Sequence, residues 1–228
     1  QVVVVGFGGE AVQTYLGKQA ETVMQEQQLG TGHAVLQAEP LLKDATGTLL
    51  VTCGDTPLVR EETFRALMQY HAETGAAATV LTAIMPDSFG YGRVIRDAKG
   101  QVTKIVEQKD GTLEELAVRE VNAGIYCFEL PLLWDLLHHV GNNNAQGEYY
   151  LTDIIGMLVD AGKTVSAYAA PEYQETLGVN SRLQLAEAER VLRQRKLEQL
   201  MTDGVSIIDP GNTYVDTTVT VGRDTVLH

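Results

Sequence analysis

The sequence predicts an α/β fold: a mixed, mostly parallel sheet, then one long helix, then a short β-rich end. Three observations predict it. Apolar runs at 2–5, 49–51, 77–85 and 121–128 lack strict polar alternation, as strands buried on both faces of a parallel sheet do. Stretches with helical apolar spacing fall between or after them, at 61–73, 130–140 and 154–161. The character then changes near Asp203, where a 21-residue helical stretch gives way to glycine-punctuated β pieces.

Taken in order, the chain opens on Gln1-Val-Val-Val-Val5, a strand entered without an initiator Met, so the true amino terminus is expected further upstream. Gly6-Phe-Gly-Gly-Glu-Ala11 follows and leads into an amphipathic helix to about Lys18. Gly6, Gly8 and Ala11 satisfy the G-x-G-x-x-G/A dinucleotide fingerprint, with Glu26 near the expected acidic position. That is the rival reading, an NAD-binding oxidoreductase, although three glycines after a strand are more often a tight turn. Next, the Gly30-Thr31-Gly32 turn lets a backbone pass close to a planar ligand, and Thr31 can cap the next helix. Gln25 offers the donor and acceptor that reading a pyrimidine edge requires. The plain alternative is a capped helix after a polar loop, with His33 an ordinary first-turn residue.

Leu49–Val51 forms a short strand buried on both faces, followed by Gly54-Asp55, and Pro57 forbids its continuation. Ligands of open α/β sheets sit beyond the carboxyl ends of strands, so Asp55 is placed to meet a ligand or Mg²⁺. An Asx-type turn before Thr56-Pro57 is the ordinary alternative. Phe89-Gly-Tyr-Gly-Arg93 is a glycine-rich loop running into a hairpin, 94–96 with 102–107, that ends at Glu107. Asn122 and Gly124 interrupt an apolar strand, which weakens it unless something approaches there. A helix over 130–140 has Pro131 in its first turn and Gly141 past its end. The polar stretch 142–153 leads into the helix 154–161, and 164–169 is a further strand. Asn180 precedes the long helix, either as a capping neighbour or as an amide oxygen sharing a cation with Asp55. The segment 219–226 resembles one coil of a hexapeptide-repeat β-helix.

The totals narrow the function. With 228 residues, the chain can hold one large domain or one plus a small appendage. No apolar run reaches the length of a membrane span and no signal peptide opens the chain. Cys53 and Cys127 have neither metal-site nor CxxC spacing, which fits free thiols in a reducing cytoplasm. A net charge of −13 argues against nucleic acid or an anionic membrane as partner. If the ligand is a phosphate, a divalent cation or local basic groups must supply positive charge. No Ser/His/Asp or Cys/His nucleophile arrangement is visible.

Seven motifs in this order carry a resemblance. They are Gln25-x-x-Gln28-Leu-Gly-Thr-Gly-His-Ala34, Gly54-Asp-Thr-Pro-Leu58, Gly90-Tyr-Gly-Arg93, Ile105-Val-Glu-x-Lys109, Val121-Asn-x-Gly124, the stretch 142–153, and Gly178-Val-Asn-x-Arg-Leu183. Together they resemble the bifunctional bacterial N-acetylglucosamine-1-phosphate uridyltransferase / glucosamine-1-phosphate acetyltransferase family, along nearly the whole chain. The resemblance implies a Rossmann-like nucleotide-diphospho-sugar transferase domain over 1–180, a linker helix over 181–203 and the start of a left-handed β-helix over 204–228. It implies conversion of UTP and N-acetylglucosamine 1-phosphate to UDP-N-acetylglucosamine and pyrophosphate. Gln25, Gly30 and Thr31 would hold the uracil. Cys53, Gly54 and Asp55 would border the nucleotide. Gly92, Glu107, Asn122 and Asn180 would serve the acetylated sugar, with Asp55 and Asn180 on Mg²⁺. The intact family member also acetylates glucosamine 1-phosphate with acetyl-CoA and forms a homotrimer.

Two departures accompany the resemblance. The family's Gly-Thr-Arg-Met phosphate loop belongs upstream of Gln1, and only the first β-helix strands are present, so neither activity is expected to survive in full in these residues alone. A glucose-1-phosphate nucleotidylyltransferase is the near neighbour, and Cys53 stands where the family often has Tyr.

Overall fold

A computed structural model describes residues Gln1–His228. The chain forms two compact units: Gln1–Cys53 with Glu61–Tyr173, and Gly54–Arg60 with Gln174–His228. In the first unit, β1 (Val2–Val5) and β2 (Glu21–Met24) pair in parallel across α1 (Gly9–Leu16). Helices α2 (Thr31–Leu36) and α3 (Glu39–Leu42) lead to β3 (Thr48–Val51), and α4 (Glu61–Thr74) to β4 (Ala78–Ile84). The predicted hairpin is present as β5 (Arg93–Arg96) and β6 (Val102–Val106), antiparallel. After α5 (Leu113–Leu116) come β7 (Glu120–Glu129), α6 (Leu130–Leu137), α7 (Asp153–Asp160) and β8 (Val165–Ala169).

These strands form a mixed six-stranded sheet ordered β6-β5-β7-β4-β8, with β3 also on β7. The fold class is the expected one. Strands β3, β4, β5 and β8 point one way, while β6 and β7 run against them. Because β7 lies between three of the co-directed strands, most hydrogen-bonded ladders are nonetheless antiparallel. Several elements differ from the sequence reading: β2, α3 and α5 are not expected from it, α6 ends at Leu137 rather than at 140, and β3 has a different setting. β3 pairs only with β7, antiparallel, and its apolar residues are half-buried rather than enclosed on both faces. The doubly buried strand is β4, which lies between β7 and β8.

Local chemistry explains the helices. Glu61 and Glu62 start α4, where carboxylates favour the exposed N–H groups and the positive end of the helix dipole. Thr63, Leu67 and His71, each four apart, are its buried stripe. Helices α6 and α7 bury Leu133, Trp134, Leu137, Ile154, Ile155 and Leu158 in one core with Val80 and Phe128 of the sheet.

The second unit is built differently. Its main element, α8 (Arg182–Thr202), is capped by the Ser181 hydroxyl, which accepts from Gln184 N–H (3.2 Å). Only Ala188, Leu197 and Leu200 of α8 are buried. The Arg195 guanidinium donates to the Leu58 carbonyl (2.7 Å), and the Arg60 Nε lies 3.5 Å from the buried Glu175 carboxylate. The chain ends in a parallel pair of two-residue strands, β9 (Ser206–Ile207) and β10 (Val226–Leu227).

Candidate functional site

In the first unit, Gly30 adopts φ 113°, a conformation that L side chains rarely take, and a Cβ there would stand 2.7 Å from the Tyr149 carbonyl oxygen. The backbone that passes close to this turn is the chain's own. Gly32 N–H donates to Tyr149 O (2.8 Å), Tyr149 N–H to Leu29 O (2.8 Å), and Leu151 N–H to the Thr31 hydroxyl (3.0 Å). Thr31 therefore does not cap α2, whose N-cap is Gly30 with no side-chain bond. Its hydroxyl is engaged by Leu151 instead. The buried Gln25 donates through Nε2 to Gly30 O (3.1 Å), and the same nitrogen lies 3.0 Å from His33 Nδ1. His33 thus steadies Gln25 rather than merely sitting in a first turn.

The same segment reaches the next group. The Thr152 hydroxyl, beside Leu151, donates to Glu107 Oε1 (3.0 Å). A Cβ on Gly92 would stand 3.4 Å from both Glu107 oxygens and 3.1 Å from Ile105 Cγ2, so Gly92 keeps its backbone open beside that carboxylate. Asn122 N–H donates to Gly92 O (2.9 Å). The Asn122 side chain accepts from Gly124 N–H (2.9 Å) and donates to the Tyr126 hydroxyl (2.6 Å).

Gly124 explains the interrupted strand. Along one edge of β7, β5 pairs at Val121 and β3 pairs from Tyr126 onward, so Gly124 falls in the gap between two partners. Its φ of 72° suits that gap. Cys53, at the end of β3, donates its thiol to Gly124 O (3.5 Å). One chain of contacts therefore runs from Gln25 through Gly30, Thr31, Glu107, Gly92 and Asn122 to Cys53. The sequence had not singled out Thr152, Tyr126 or Tyr149 as functional. Thr152 and Tyr149 lie within a quoted motif, but only the fold shows which neighbours they hold.

Electrostatics distinguish Glu107. Burial raises its carboxyl above the ordinary range, the Thr152 hydrogen bond opposes this, and the Asp110 and Asp153 carboxylates add to it. Burial likewise lowers the nearby Arg93 guanidinium and raises Asp153.

In the second unit, the structure brings Asp55 and Asn180 together over Gly178. A Cβ on Gly178 would stand 3.6 Å from Asp55 Oδ2 and 3.5 Å from Asn180 Nδ2. Val179 N–H donates to Asp55 O (2.8 Å), which fixes the two strands of backbone against each other. Asn180 is a capping neighbour as well, because its N–H donates to Gln184 Oε1 (2.8 Å) one residue before the Ser181 cap. One carboxylate and one amide suit a hard divalent cation that takes its remaining oxygens from phosphate and water, and a half-turn of the amide presents its oxygen. The chain has no group of three or more His, Cys, Asp or Glu arranged for a metal. No helix is long and apolar enough to cross a membrane.

Comparison with known proteins identifies relatives along the whole chain. The chain is 52% identical over 227 residues to the bifunctional protein GlmU of Geobacillus sp. (strain WCH70), covering 100% of this chain and 50% of that protein. It is 55% identical over 226 residues to the bifunctional protein GlmU of Lactobacillus delbrueckii subsp. bulgaricus, covering 99% and 49%. Against the bifunctional protein GlmU of Exiguobacterium sp. the identity is 52% over 228 residues, covering 100% and 51%. The chain spans about half the length of the curated relatives it matches. The NAD-binding reading is not favoured, because the nucleotidyl transferase family model matches residues 7–181, across the fingerprint glycine Gly8 and every candidate site residue. The chain belongs to the nucleotidyl transferase family.

Proposed function

We propose that the chain transfers a uridylyl group from UTP to N-acetylglucosamine 1-phosphate, giving UDP-N-acetylglucosamine and pyrophosphate. The observation that carries this reading is the series of hydrogen bonds and close approaches that links Gln25, Gly30, Thr31, Thr152, Glu107, Gly92, Asn122 and Cys53, the last followed directly in sequence by Gly54 and Asp55. A pyrimidine reader at one end, with Glu107 and Asn122 along the run for the sugar, suits a nucleotide sugar. Gln25, its Nε2 engaged by Gly30 and His33, would accept from the base through its amide oxygen, with Thr31, Cys53 and Gly54 along the nucleotide. Gly92 offers backbone, Glu107 accepts from sugar hydroxyls, and Asn122 meets the acetamido group.

The sugar phosphate oxygen attacks the α-phosphorus of UTP in line, and pyrophosphate leaves. Both reactants are anions, so alignment and charge neutralisation matter more than a general base. Membership of this family carries a divalent-metal requirement, and we assign the ion as Mg²⁺. Asp55 and Asn180 would hold it, and when bound it acts as Lewis acid and template for the phosphates. The residues present fit that role through hard oxygen donors placed over a glycine. We place the protein in the cytoplasm. In the longer form, the names of the relatives support a second activity, which we read as acetylation of glucosamine 1-phosphate with acetyl-CoA by a homotrimeric β-helix domain. The β9–β10 pair is consistent with the first coil of such a domain.

Isothermal titration with UDP-N-acetylglucosamine, with and without Mg²⁺, tests base, sugar and metal sites at once. Saturable binding that tightens with Mg²⁺ is expected. Absence of binding under both conditions would overturn the reading.

A further inference from the structure

We propose that Tyr126 is a positioning residue: Gly124 N–H sets which end of the Asn122 amide is the oxygen, and the Tyr126 hydroxyl holds the nitrogen end in place toward the sugar. The inference rests on the uridyltransferase reading and adds a residue that never touches the ligand. A side-chain amide can be turned by 180° at little steric cost, and the turn exchanges donor for acceptor. Here both ends are constrained. Gly124 N–H can only donate, so the end 2.9 Å from it is the Asn122 oxygen. The nitrogen therefore lies at the other end, 2.6 Å from the Tyr126 hydroxyl, which accepts. Each end of an amide has a second hydrogen-bonding position, so Asn122 still has one N–H and one lone pair for a ligand, in a set order.

Tyr126 suits this task. Tyr126 is 3% exposed, too buried to meet a sugar itself. Its ring stacks on Phe128, with centroids 5.4 Å apart and planes inclined by 23°. Burial, reinforced by the Glu107 carboxylate, keeps the hydroxyl protonated well above the ordinary tyrosine range, so it remains a neutral partner. The sequence spacing matters too. Asn122, Gly124 and Tyr126 are alternate residues of β7, and Gly124 occupies the gap between β5 and β3. The amide is held there from within its own strand, where a neighbouring strand would otherwise run.

Tyr126→Phe removes only the hydroxyl and keeps the stacked ring. Titration of the variant with UDP-N-acetylglucosamine is expected to show roughly tenfold weaker binding, while UMP, which lacks the sugar, binds as to the wild type. Thermal unfolding within about 2 °C of the wild type would accompany this. In an Asn122→Ala background, Tyr126→Phe should have no further effect on sugar-nucleotide affinity, because the residue acts through the amide. Equal affinity of wild type and Tyr126→Phe overturns the proposal, as do additive losses in the double variant or parallel losses for UMP. A wild-type chain that binds no UDP-N-acetylglucosamine overturns the functional reading itself, and this inference with it.

Discussion

The two units solve the same problem, holding a polar side chain in place, in opposite ways. In the sheet-bearing unit, Glu107, Asn122 and Gln25 are each fixed by side-chain hydrogen bonds inside or beside a dense apolar core. In the other unit, Asp55 and Asn180 depend on backbone: a carbonyl–amide bond, a glycine and the start of α8. That helix buries little, and Leu183 and Leu185 on it stand exposed. The contrast teaches that the residues proposed for base and sugar are preorganised by packing, whereas the Asp55–Asn180 pair rests on a lightly buried segment. A site of the second kind tolerates mutation of the core and is sensitive to anything that changes its own two side chains.

The largest effect that would sharpen this comparison is at Asp55. In the enzyme with both substrates, Asp55→Asn is expected to lower turnover by at least roughly 100-fold, as loss of one charge-stabilising group does. A pyrophosphate-release assay at saturating Mg²⁺ checks it, and unchanged unfolding would show that the loss is chemical. Next comes the core. Leu67→Ala, at a fully buried position of α4, should cost about 2–5 kcal/mol in urea unfolding, while Leu183→Ala on α8 should stay within about 0.5 kcal/mol. Similar costs at the two positions would break the contrast between units.

A pH effect of intermediate size follows from Glu107. Its carboxyl is raised in the folded chain, so folding favours the protonated form, and stability from this group is lost as pH rises through the folded value. On the proposed role of accepting from sugar hydroxyls, ligand binding needs the ionised form and moves the other way. Affinity for UDP-N-acetylglucosamine should therefore fall on acidification, starting above the ordinary carboxylate range. Glu107→Gln should flatten that profile while making the chain more stable at neutral pH. A wild-type profile unchanged by the substitution would remove Glu107 from the site. The smallest effect is a difference in labelling. Cys53 is exposed, whereas burial pushes the Cys127 thiol up to about 11. An alkylating reagent at neutral pH should modify Cys53 and spare Cys127, and UDP-N-acetylglucosamine should slow the first reaction. Equal labelling of both thiols would contradict the packing around β7.

Much was legible before any coordinates. The start of α6 followed from Pro131 in its first turn and the start of the long helix from the capping signal around Asn180, whereas the Ser181 cap and the end of α6 at Leu137 came from the structure. The hairpin at Arg93–Val106 followed from its turn residues. The candidate residues were named from motif order, and Asn122 and Gly124 from their oddity within an apolar strand. These signals are local, so a short window of sequence contains their causes.

By itself, the sequence determined which residue types this protein offers to a phosphate-bearing ligand: oxygen donors, amides and flexible glycines in an acidic chain with no Ser/His/Asp or Cys/His arrangement. Tertiary structure alone decided three things. It made β3 an edge partner of β7 rather than an enclosed strand, because pairing depends on which strand lies alongside. It gave the closeness at Gly30 to Tyr149 and the Thr31 hydroxyl to Leu151, contacts that span 119 and 120 residues of sequence (from 30 to 149 and from 31 to 151). It also set Tyr126 behind Asn122. No local propensity encodes such pairings, since their free energy appears only when distant segments of the chain are packed together.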